Sequence, residues 1–109
     1  MMRLRIYSVA LEVVRGVAEV GVRLQRRDPD LARQLRRANS SIALNIAEGV
    51  HARGGNQVAR FYDAMGSARE TVACIEVGVA AGYLVNDDHV ELLDRLDHVV
   101  ATLWKLTHR

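Results

Sequence analysis

The chain is poor in most of the residues that would complicate a small fold. It has one cysteine, one proline, one phenylalanine and one tryptophan among 109 residues. The lone cysteine, Cys74, excludes an internal disulfide and a cysteine-built metal cluster. Set beside Ile75 and one helical turn from Thr71, it reads as a small buried hydrophobe. So few aromatics, with alanine, valine, leucine and arginine dominant, suit a helical core better than a sandwich or a barrel. No uncharged apolar run approaches the ~18–20 residues needed to span a bilayer. The opening MMRLRIYSVALEVV lacks the apolar core and small-residue cleavage site of a signal peptide. These absences predict one cytoplasmic domain over residues 1–109, with no membrane partner.

Lysine is also scarce, since 14 of the 15 basic residues are arginine. Arginine suits phosphate recognition, although a GC-rich genome gives the same bias. The net charge of +2 hides a steep gradient. Residues 1–60 hold eleven arginines against five acids, or +6, whereas residues 61–109 hold four basic residues against eight acids, or −4. Such a split has two readings: a face for nucleic acid, or basic helices pairing with acidic ones inside the fold.

Apolar periodicity predicts four helices. The first covers about 3–27 and carries two apolar stripes, Leu4, Leu11, Val14, Ala18, Val22 and Ile6, Val9, Val13, Val17, Val20, Leu24. Together they are wider than the ~100° face of an ordinary surface helix, which points to oligomerisation. A membrane-surface helix fits less well, because Glu12, Arg15 and Glu19 make a mixed-charge outer strip. Asp28-Pro29 then supplies an N-cap and a first helical residue. The second helix runs to about His51 on a stripe of Leu31, Leu35, Ala38, Ile42 and Ile46. Arg53-Gly54-Gly55-Asn56 breaks the chain, with Asn56 as the expected next cap.

The third helix, about 57–81, buries Val58, Phe61, Met65, Ala68, Val72, Ile75 and Val79, and Gly82 is its expected C-terminal cap. Asn86 or Asp87 is expected to cap the fourth, with Asp88 and Glu91 in its first turn. Its core stripe is Val90, Leu93, Leu96, Val100 and Leu103. Short connections between long helices predict an all-α, antiparallel up-down-up-down four-helix bundle.

The most informative stretch is 34–49, QLRRANSSIALNIAEG, where polar residues interrupt an apolar helix pattern. Buried polar groups require partners. In a hairpin centred near Gly54, facing residues of helices two and three sum to about 108. That register sets Arg37 against Glu70 or Thr71, Ser41 against Ser67, Asn45 against Asp63, and Glu48 against Arg60. It predicts a ladder of hydrogen bonds and ion pairs that fixes register more than it adds stability.

The same stretch, followed by AMGSARE at 64–70, resembles the four-helix-bundle proteins encoded in intervening sequences of bacterial 23S ribosomal RNA genes. Arg36, Arg37, Ser41, Ile42, Asn45, Ile46, Ala47, Glu48 and Gly49 carry the first motif, and Ala64, Gly66, Ser67 and Glu70 the second. Ala43 stands where relatives often have proline, which leaves the helix unkinked. The resemblance implies a ring-like homo-oligomer, a homopentamer. Similar bundles are accessory proteins to reverse transcriptases in diversity-generating retroelements, where a basic surface contacts nucleic acid.

No catalytic machinery is legible. Ser40 and Ser41 have no histidine at helical spacing and no glycine elbow. His51, His89, His98 and His108 are scattered, and the His98–Asp94 pair suggests no third metal ligand. The chain is therefore expected to be no enzyme and to use no cofactor or metal. Two functions remain. One is phosphate binding to RNA or DNA by Arg23, Arg26, Arg27, Arg33 and Arg36 near the first corner and Arg53 at the opposite loop. The other is a protein-interaction scaffold serving a nucleic-acid enzyme such as a reverse transcriptase.

Overall fold

A computed structural model describes residues 2–85 and 89–108, with side chains from residue 5 onward. Its four helices are α1 (Met2–Gln25), α2 (Pro29–His51), α3 (Gly54–Ala80) and α4 (Val90–Thr107). They form an antiparallel bundle 42 Å long and 23 by 19 Å across. The 27 residues of α3 alone span about 40 Å at the α-helical rise, so the helices lie side by side. The broadest packing joins α2 to α3 and α1 to α2, and the packing of α4 on α3 and on α1 is narrower.

Local chemistry explains the ends. Asp28 has extended backbone angles, and its Oδ1 accepts the Leu31 N–H at 3.0 Å, with Pro29 opening α2. An Asp28→Ala variant is expected to lose about 1 kcal/mol and to melt about 5 °C lower. An unchanged thermal melt would mean that water replaces the cap. At the end of α3, Gly82 has φ +80°, and the N–H groups of Tyr83 and Gly82 donate to the Gly78 and Val79 carbonyls at 2.9 and 3.0 Å. This is a Schellman closure, with Leu84 folded back on Gly78.

The start of α3 differs from expectation. Asn56 is not the cap: the helix begins at Gly54, and Arg53 holds the cap position without a side-chain bond. Gly54 reverses the chain at φ +56°, so helix resumes at once. Gln57 then serves the preceding helix, its Nε2 donating to the Gly49 and Ala52 carbonyls at 2.9 and 3.2 Å. The expected cap at Asn86 or Asp87, Asp88 in the following turn, and the Leu4 side chain lie outside the described residues.

The core takes Ile6, Val13, Val17, Val20 and Leu24 from α1, and Leu35, Ala38, Ile42 and Ile46 from α2. Phe61, Met65, Ala68, Cys74 and Ile75 come from α3, and Leu96, Val99 and Leu103 from α4. Only one of the two α1 stripes is therefore covered. Leu11 and Val22 are 41% and 62% exposed, Ala18 is exposed, and Val14 is half-buried. Val90 is also exposed, because buried His89 takes the inward position one residue earlier. Among the described residues no helix is long and apolar enough to cross a membrane.

Candidate functional site

The α2–α3 seam carries polar contacts at the expected register. The Ser67 and Ser41 hydroxyls lie 2.9 Å apart, and Arg60 Nε is 3.0 Å from Glu48 Oε2. Thr71 Oγ1 donates to the Ser67 carbonyl one turn back. The other two expected rungs do not form. Asn45 turns its amide onto its own helix, donating to Ser41 Oγ and to the Ser41 carbonyl, both at 2.9 Å. That leaves Asp63 exposed in a cleft beside Glu48 and Arg60. Arg37 and Glu70 make no ion pair within 4 Å, and both stand exposed on the rim of an open groove. Water solvates each end of such a surface pair nearly as well as the partner does. The same reasoning limits the half-exposed Glu48–Arg60 pair to about 0–1 kcal/mol, so it aligns the helices more than it holds them.

Ser41 and Ser67 are bound into this seam. The nearby Cys74 thiol is pushed up in pKa, first by burial and then by the Glu70 charge. It keeps its proton at neutral pH, which makes it a packing group and a poor nucleophile.

The arginines divide by position. Arg26, Arg27, Arg33 and Arg36 are exposed around the end of the bundle where α1 passes into α2. Arg27 lies over the Tyr83 ring, 5.2 Å from its centre, a cation–π contact that orients the guanidinium. Arg33 pairs with Asp30 three residues away, and the stem of Arg36 rests beside Gly21. Arg23 turns instead toward the α1–α4 cleft, among Glu12, Glu19, Glu91 and Arg95. Arg53 sits at the far end of α2, a 23-residue helix, or about 35 Å away. The six candidates thus form one cluster of four, a neighbour facing an acidic cleft, and a distant outlier.

Among the described residues, ion pairs within 4 Å do not cancel the charge gradient. Four ion pairs occur among the described residues: Arg33–Asp30, Arg60–Glu48, Arg95–Glu12 and Arg95–Glu91. None joins an arginine of residues 1–60 to an acid of residues 61–109.

The model of the 23S rRNA-intervening sequence proteins matches residues 2–105. The chain belongs to that family. A crystal structure of a protein of unknown function from the S23 ribosomal protein family of Bacteroides thetaiotaomicron superposes with a TM-score of 0.88 over 100% of both chains. At 16% identity that likeness is one of fold. No curated protein matches the chain.

Two features of this intervening-sequence protein escaped the sequence reading. Asn39 is 3% exposed between α1 and α2, where its Nδ2 donates to the Val14 carbonyl at 3.0 Å and its buried Oδ1 has no partner. Its place three residues before Ile42 was the available signal. The second feature lies on α3 and α4. Trp104 stacks on His108 with ring centres 3.3 Å apart, and His108 Nε2 lies 2.9 Å from the Tyr62 hydroxyl. The i, i+4 spacing of Trp104 and His108 was legible, but Tyr62 is 46 residues away in sequence from His108.

Proposed function

We propose that this intervening-sequence protein is a non-enzymatic, self-assembling cytoplasmic protein that binds RNA or DNA phosphates through the arginine end of α1 and α2. The observation behind this reading is the lack of internal neutralisation: among the described residues, no acid of residues 61–109 pairs with an arginine of the basic half. Exposed guanidinium groups gathered at one end, of which Arg33 alone is paired with an acid among the described residues, create the sign and density of potential that attracts a polyanion. Assembly is supported by the exposed apolar strip of Leu11, Ala18 and Val22 on α1. Copies joined along it, as in the homopentameric ring implied by the family resemblance, would repeat the arginine end around one axis.

Binding of this kind is steeply salt-dependent and nearly indifferent to sequence. The test is the affinity of the purified protein for a structured RNA and a DNA duplex over a salt series, with its mass in solution measured by light scattering. Affinity that falls steeply with salt supports the reading, and no binding at low salt overturns it. A second reading, a scaffold for a nucleic-acid enzyme such as a reverse transcriptase, draws on the large exposed hydrophobics Leu44, Val77 and Trp104. It predicts that partner binding survives reversal of the arginine charges.

A further inference from the structure

Arg37 and Glu70 stand on opposite walls of an open groove of about 900 Å³ between α2 and α3. The helix register sets them face to face, yet they leave the space between them open. Ser41 and Ser67 lie lower in the groove. Ser41 Oγ receives hydrogen bonds from Ser67 and Asn45, which occupies its acceptor sites and leaves its own O–H to donate. Arg36 adds a second guanidinium on the α2 side. Leu44, 64% exposed, adds an apolar contact on the same wall.

The ligand that matches this lining has an anionic group for the arginines, a hydroxyl for the carboxylate and a flat apolar face for the leucine. We infer that the groove binds single-stranded RNA: the phosphate rests on Arg36, Arg37 and the Ser41 hydroxyl, the base lies against Leu44, and the ribose 2′-hydroxyl donates to Glu70. This inference rests on the phosphate-binding reading above and adds the choice of sugar. A carboxylate beside a phosphate site repels every nucleic acid alike, and a hydrogen-bond donor on the ligand placed at that carboxylate offsets the repulsion. The 2′-hydroxyl is the donor that RNA has and DNA lacks. Two cations against one anion in the lining favour this polyanion over a peptide segment. Arg33, one helical turn before Arg37, continues the positive track toward the bundle end.

The test is a polarisation titration of the full chain with a labelled oligouridine and the oligodeoxyuridine of equal length, at one low salt concentration. The wild type is expected to prefer RNA by about tenfold, the scale of a hydrogen bond to a charged group. Glu70→Ala changes an exposed residue and is expected to abolish the preference while raising DNA affinity. Leu44→Ala is expected to weaken both ligands. Equal binding of RNA and DNA by the wild type, or a Glu70→Ala variant that keeps the preference, overturns the groove assignment alone. Failure of both oligonucleotides to bind overturns the phosphate reading beneath it and turns the groove toward a protein segment.

Discussion

A Gly49→Ala variant is expected to lose about 2 kcal/mol of stability, although alanine is the better helix former. A Cβ at position 49 would lie 2.5 and 2.7 Å from Cε1 and Cδ1 of Phe61, and 3.3 Å from Cβ of Arg60. The Phe61 ring is 1% exposed and packed within the core, so it cannot swing aside without displacing its neighbours. Gly66 is the internal control. It also sits within a helix, but a Cβ there meets nothing within 4 Å. Gly66→Ala should therefore stabilise by about 0.5–1 kcal/mol, the ordinary propensity gain. The same exchange at two motif glycines has opposite signs because only one of them faces a ring. Thermal melts should separate the first variant from wild type by about 10 °C. Adding Phe61→Leu to Gly49→Ala should cost less than the sum of the two changes, since the ring edge that clashes is gone. A Gly49→Ala protein as stable as its parent would sink this account of the α2–α3 contact.

Reversing Arg26, Arg27 and Arg33 to glutamate is expected to abolish nucleic-acid binding at moderate salt. The neutral triple glutamine variant is more diagnostic. Each phosphate contact contributes about 0.9 to the salt slope on a duplex and about 0.7 on a single strand, so losing three should flatten it by about 2 to 3. Stability should change little, because Arg27 gives up a cation–π contact and Arg33 only an exposed pair with Asp30. Arg53→Glu locates the site, since Arg53 lies at the other end of α2. An effect from Arg53 as large as that of the triple variant would move the interface to the α2–α3 loop. An unchanged slope in the triple variant would remove the arginine end from the interaction.

The bundle was legible because its signals are local. Asp28-Pro29 and Gly82 act through bonds within a few residues, and the apolar spacing of α2 and α3 states which side faces inward. The Ser41–Ser67 contact was also readable, because a tight hairpin ties register to the position of its turn. Three other outcomes depended on competition that a linear sequence does not display. Asn45 had Ser41 one turn away on its own helix as a competitor to Asp63 across the seam. Arg37 and Glu70 are long and exposed, so their pairing depends on solvent as much as on register. On α1, periodicity marked two apolar stripes, but only packing decides that Val17 and Val20 are covered and Val22 is not.

The contact pattern of the bundle also bears on how it forms. Its wide interfaces join helices adjacent in the chain, and the seam between chain ends, α1 against α4, is much narrower. Neighbouring helices meet at small loop-closure cost, whereas the α1–α4 seam must close the longest loop for a narrow contact. A topology so rich in short-range contacts belongs to the rapid folders, with the α2–α3 hairpin assembling early and the α1–α4 edge last. Unfolding retraces that order, so amide hydrogens of α4 should exchange through smaller openings than those of α2. Uniform exchange in all four helices would show instead that the chain ends lock the bundle as firmly as its centre.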